Sequence, residues 1–87
     1  MSEFLNKIVV VTGGRQGNGY SIVENFLKKG SKVYSIDKKF KKDRKNKNLV
    51  EIKAEINNFR LVEKIIKKIS KKEKKIDILV NNAGISE

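Results

Sequence analysis

A parallel α/β sheet is the fold class that this 87-residue sequence predicts. Short β-branched apolar runs alternate with segments of helical periodicity, and a loop with four glycines stands between the first run and the first helix. Lys7-Ile-Val-Val-Val-Thr12 is almost continuously apolar, the pattern of a strand buried on both faces. After the glycines, Ile22, Val23, Phe26 and Leu27 share one helical face, giving a helix of about ten residues from Tyr20. Lys28-Lys29-Gly30 supplies cations for its C-terminus and a glycine to stop it. Lys32-Val-Tyr-Ser-Ile-Asp37 reads as a second strand. Leu49 to Ala54 reads as a third, covered on one side only and so suited to an edge, because Val50, Ile52 and Ala54 alternate with charges.

Lys38 to Asn48 is too polar for a packed helix and reads as a loop. Asn57 or Asn58 can cap a second helix, reaching Lys75, whose apolar stripe is Val62, Ile65, Ile66 and Ile69. Ile76-Asp-Ile-Leu-Val-Asn81 is the fourth strand and ends in Asn81-Asn-Ala-Gly84. Right-handed crossovers then fix the topology. If strands one to three step outward in one direction, strand four returns to pair beside strand one, the order becomes 3-2-1-4, and the two helices lie on opposite faces. Ligands of such sheets bind beyond the strand C-termini where the winding reverses, here between strands one and four.

Composition narrows the chemistry. No Cys and no His are present, which excludes disulfides, thiolate metal sites and imidazole bases. A chain this short buries only about 60 to 65% of its unfolded surface, so the core is small. No apolar run approaches the ~20 residues that span a bilayer, and the N-terminus lacks a secretory pattern, so a cytoplasmic chain without membrane contact is expected. The formal charge of +11 comes from 21 basic and 10 acidic residues, with seven bases in Lys38 to Lys47 and seven in Lys64 to Lys75. Only Phe40 is interleaved with them and no nucleic-acid module is recognisable, so a solvated Lys-rich surface is the expectation. A basic nucleic-acid binder is the competing class, and its affinity would fall steeply with salt.

A strand, a glycine turn and a helix N-terminus together form an anion site, because exposed backbone N–H groups and the helix dipole both favour negative charge. A phosphate-binding P-loop would need Lys where Tyr20 stands, and the G-x-G-x-x-G fingerprint has two residues fewer between its first two glycines than the interval from Gly13 to Gly17. The spacing Thr12-Gly13-x-x-x-Gly17-x-Gly19 resembles the signature of the short-chain dehydrogenase/reductase family. Asn81-Asn-Ala-Gly84 matches that family's second motif in type and position.

The resemblance covers the whole chain and implies a Rossmann-like fold in which residues 1–87 are part of one domain, the N-terminal half that binds a nicotinamide dinucleotide. Gly13 would allow the tight turn, Gly17 the approach of backbone to pyrophosphate, and Gly19 close helix packing. Thr12, Arg15, Gln16 and Asn18 complete the loop side of the implied site; Asn18 departs from the apolar residue that relatives usually carry there. Asp37, eighteen residues beyond Gly19, would accept the adenosine ribose hydroxyls, with Lys38 beside it, although an aspartate at a turn has a structural use as well. Glu55 resembles the family's adenine-contacting Asp with one methylene added, and Ile56 follows it. Asn81 and Asn82 would tie the loop after strand four to its neighbours, and Ala83-Gly84 would leave room for the nicotinamide-side ribose, although a purely structural turn is the rival use of this motif. NAD is expected over NADP. The family's catalytic Ser and Tyr-x-x-x-Lys lie downstream of Asn-Asn-Ala-Gly, and neither Tyr20, followed by Glu24, nor Tyr34, inside a strand, resembles the catalytic tyrosine. No catalytic and no metal-ligating residue is therefore expected, a small-molecule substrate is expected only in a full-length form, and the open edge of strand four predicts self-association. A stand-alone nucleotide-binding module is the remaining alternative, and it would need some way to cover that edge.

Overall fold

β1 (Ile8–Thr12) is an unbroken β-branched run with all five residues buried, and the rest of the molecule is arranged around it. The computed structural model describes residues 3–13, 17–40 and 46–82. Along the chain follow α1 (Gly17–Lys28), β2 (Lys32–Asp37), β3 (Leu49–Lys53), α2 (Phe59–Glu73) and β4 (Ile78–Asn81). The strands form one sheet in the order β3-β2-β1-β4, every pair parallel, as the crossover rule requires. β1 pairs Val9 with Val33 on one side and with Ile78 on the other, so both of its ladders are satisfied.

Alternate residues of β1 feed two cores. Val9 and Val11 join Val23 and Val33 under α1, with Ile22, Phe26 and Leu27 packed against them. Ile8 and Val10 join Tyr34, Ile36, Ala54 and Ile69 under α2, with Ile65 and Ile66 alongside. The helices thus cover opposite faces, which is what a chain that steps outward and then returns must produce.

The ends of the elements differ from the sequence pattern by a few residues, each for a local reason. α1 starts at Gly17, not Tyr20: Gly17-Asn-Gly19 form its first turn, where weak helix formers look like loop in the sequence. It ends in a Schellman motif, with the Ser31 amide donating to Phe26 C=O at 3.0 Å, the Gly30 amide to Leu27 C=O at 3.1 Å, and Gly30 at φ 86°. α2 is capped by Asn58, whose side chain accepts from the Leu61 amide at 3.1 Å, and stops at Glu73 because Lys74 takes a left-handed φ of 73°. β4 begins at Ile78, not Ile76, since the Asp77 carboxylate replaces a ladder partner and accepts from the Ile8 amide at 2.7 Å. That bond, with the Lys75 ammonium at 3.3 Å, holds the Asp77 carboxyl below its usual range. Lys7 and Ala54 fall just outside their strands. Within the Lys38 to Asn48 segment, the described residues contain neither helix nor strand, and residues 41–45 lie outside the described set.

At the N-terminal end of the sheet one cluster fastens α2 to β2. The Tyr34 hydroxyl donates to Glu73 Oε2, and Lys32 Nζ lies 2.7 Å from the same oxygen. The lysine, and after it the tyrosine, hold the Glu73 carboxyl below its ordinary value, while Lys32 is raised chiefly by Glu73 and Tyr34 chiefly by burial. A lowered carboxyl stabilises the fold above its ordinary pKa and ceases to do so as pH falls through the folded value. Glu73→Gln should therefore cost about 1 kcal/mol near pH 7 and progressively less as pH falls below the ordinary carboxyl range, a narrowing that urea unfolding across a pH series would reveal. An unchanged gap would mean that Glu73 acts through packing and not through charge.

Candidate functional site

Gly13 leaves β1 at φ 75°, a left-handed conformation that favours glycine, and its amide donates to Ile36 C=O of β2 at 2.8 Å. Its own carbonyl points at α1. A Cβ built on Gly19 would lie 1.9 Å from that oxygen and 2.9 Å from Asn82 Nδ2, so glycine is required at position 19. Asn82 Nδ2 donates to the same carbonyl at 3.2 Å. The glycine turn and the asparagine turn, 69 residues apart in sequence, therefore meet at one atom. Thr12 and Asn81 are register partners, and the Thr12 hydroxyl donates to Asn81 Oδ1 at 3.0 Å, adding a second tie between β1 and β4.

Asp37 ends β2 at this same end of the sheet and is 5% exposed. Its Oδ1 accepts from the Lys38 amide at 2.7 Å and its carbonyl accepts from the Ala54 amide at 2.8 Å, so both the side chain and the backbone are held. The turn use foreseen for this aspartate is thus present, and it fixes where the carboxylate sits. Glu55 is exposed just beyond β3, Ile56 is half-buried, and Asn18 and Lys38 are exposed. Arg15, Gln16, Ala83 and Gly84 lie outside the described residues. The first turn of α1 carries no acidic residue to oppose an anion.

Sequence spacing missed two features. The Thr12 to Asn81 bond depends on strand register, which could be read only once β4 was placed beside β1. A groove of about 380 Å³ between α2 and β4, lined in part by Phe59, Ile66 and Leu79, left no mark in the periodicity. Among the described residues no helix is long and apolar enough to cross a membrane.

A glycine turn from a buried central strand, an asparagine turn from its parallel neighbour and a carboxylate ending the next strand make this a Rossmann-like α/β protein. The chain belongs to the short chain dehydrogenase family, whose model matches residues 7–87. It is 36% identical over 86 residues to the short-chain dehydrogenase/reductase PhomF' of Diaporthe leptostromiformis, covering 91% of this chain and 29% of that protein. It is 33% identical over 88 residues to the NAD-dependent glycerol dehydrogenase of Listeria innocua, covering 93% and 34%. To the NADP-dependent 3-hydroxy acid dehydrogenase YdfG of Salmonella typhi it is 30% identical over 84 residues, covering 91% and 34%. Among solved structures, a short chain dehydrogenase of Leptospira borgpetersenii with bound NAD+ superposes with a TM-score of 0.83 at 34% identity, over 98% of this chain and 34% of that one. The chain thus spans about a third of the length of these relatives.

Because a Cβ at position 19 would collide with backbone, Gly19→Ala should lower unfolding stability by more than about 2 kcal/mol. The exposed neighbour Asn18→Ala should stay within about 0.5 kcal/mol. Chemical denaturation of the two variants checks the pair, and a Gly19→Ala protein as stable as the parent would show that the close approach is dispensable.

Proposed function

We propose that this chain is the cofactor-binding, N-terminal half of an NAD-dependent short-chain oxidoreductase acting on alcohol or ketone groups. Family membership and the convergence of Gly13, Gly19, Asp37 and Asn82 at one end of the sheet support this reading. The group fits the residues present: the α1 N-terminus offers N–H groups and dipole with no acid in its first turn, and Gly19 lets that helix end lie directly against the turn after β1. Thr12, Gly13, Gly17, Asn18 and Gly19 would hold the pyrophosphate side, joined by Arg15 and Gln16. Asp37 and Lys38 would meet the adenosine ribose, Glu55 and Ile56 the adenine, and Asn82, Ala83 and Gly84 the nicotinamide-side ribose. When bound, the nicotinamide supplies the hydride donor or acceptor; this chain's own residues bind and orient it.

The observation that carries the NAD preference is the Asp37 carboxylate, buried and aligned by the Lys38 amide. A carboxylate so placed accepts two ribose hydroxyls and repels a 2′-phosphate at hydrogen-bond range. Relatives bear names of both cofactor types, so the preference rests on this residue. Lys38 and Lys39 are exposed, where screening weakens their attraction for phosphate. The same reading places the chain in the cytoplasm and leaves the substrate to a full-length form. Among the described residues no strand lies beyond β4, and that edge supports association of copies, opposed by the formal charge of +11.

Calorimetric titration should show NAD binding tighter than NADP, with Asp37→Ala narrowing or inverting the difference. NADP binding as tight as NAD by the unmodified chain would assign the preference to the basic residues. The same preparation, whose Tyr-x-x-x-Lys match from Tyr34 to Lys38 has its tyrosine inside β2 with the hydroxyl bonded to Glu73, should reduce no NAD with any alcohol offered; measurable turnover would refute the half-domain assignment.

A further inference from the structure

We infer that Lys53 is a second determinant of cofactor choice, the base that meets a 2′-phosphate at this site and so opposes Asp37. The inference rests on the dinucleotide reading and deepens it. Asp37 and Lys53 are partners in the ladder between β2 and β3, and the Ala54 amide donates to the Asp37 carbonyl at 2.8 Å, so the two strand ends are level. Val33 and Leu49, partners in the same ladder, both pack under α1. Counting in twos from them places Ser35 and Asp37 of β2, and Glu51 and Lys53 of β3, on that face. Lys53 and Asp37 therefore stand side by side on the α1 side of the sheet, at the end where α1 begins.

Sheet order supplies the direction. Outward from the glycine turn come Asp37 on β2 and then Lys53 on β3, so a ribose held by Asp37 has Lys53 one strand beyond it. Neighbouring strands lie about 4.8 Å apart, less than the reach of an extended lysine side chain. Among the described strand residues on this face Lys53 is the one cation; it is exposed, and none of the described residues forms an ion pair with it. Two carboxylates share the face. Asp37 stands at the strand end, and Glu51, half-buried opposite Ser35, lies two residues deeper along β3. Lys53 offsets part of the repulsion that both would exert on a 2′-phosphate. Lys38 and Lys39 follow the end of β2, whereas the backbone of Lys53 is fixed in the ladder, so its charge stays beside the ribose. Exposure limits its contribution to a few-fold in affinity.

The test is calorimetric titration of the intact chain and its variants with NAD and with NADP. Lys53→Gln removes an exposed charge, and Asp37→Asn keeps an oxygen for the Lys38 amide, so both leave the fold in place, as circular dichroism would verify. At low salt Lys53→Gln should weaken NADP at least about threefold and change NAD by less than about twofold, and the difference should fade at high salt. Lys53→Arg should restore NADP binding, and Lys39→Gln, which removes the same charge away from the ladder, should weaken it less than Lys53→Gln does. In the Asp37→Asn background, where NADP binds more tightly, adding Lys53→Gln should remove most of the gain. NADP affinity unmoved by Lys53→Gln in both backgrounds, or moved as far by Lys39→Gln, would overturn the inference and leave the dinucleotide site standing. Binding of neither cofactor by the unmodified chain would overturn that site and the role of Lys53 together.

Discussion

Helix α1 can lie against the turn after β1 only because residue 19 has no side chain, and the carbonyl it approaches, that of Gly13, is also the acceptor of the Asn82 amide. One backbone oxygen therefore sets three things together: the exit direction of the glycine turn, the depth at which α1 packs, and the position of the chain leaving β4. Gly13 at φ 75° makes this geometry accessible, and the Thr12 to Asn81 bond repeats the connection one residue earlier. The two motifs recognisable in the sequence are thus parts of one structural joint, whatever ligand they meet.

The joint sits at the end of a sheet whose burial is uneven. β1 and β2 are covered on both faces and fixed by ladders on both sides, whereas β4 has one ladder, half-buried Ile78 and Val80, and an exposed Leu79. Stability is accordingly concentrated on the β1 and β2 side, where Lys32, Tyr34 and Glu73 add a polar fastening at the end remote from the glycine turn. The least covered strand supplies Asn81 and one side of the groove. The proposed site and the exposure coincide there because a parallel sheet leaves the C-terminal ends of its strands open.

Much of this was readable from side-chain pattern. Lys32 to Asp37 matches β2 residue for residue, since a β-branched strand bounded by Ser31 after a helix-stopping glycine has sharp limits. The order 3-2-1-4 followed from handedness alone. The start of α1 was hidden because Gly17 and Gly19 have poor helix propensity, and the start of β4 because Asp77 looks like any strand aspartate until its bond to Ile8 is seen. Thr12 to Asn81, Tyr34 to Glu73 and the α2 groove join residues distant in sequence, which local periodicity does not encode. Of the site, Gly13, Gly19, Asp37 and Asn82 stand together at one end of the sheet, while Arg15, Gln16, Ala83 and Gly84 lie outside the described residues.

The proposed dinucleotide site lies at the C-terminal end of the sheet, at the junction of β1 and β4. Backbone amide shift mapping during titration with NAD tests it most directly. Binding there should move the amides of Gly13, Gly19, Asp37, Lys38 and Asn82 while leaving Lys32, Tyr34 and Glu73, at the opposite end, in place. Shifts spread over the lysines of α2, or none at Gly13 and Asn82 at saturating NAD, would contradict it.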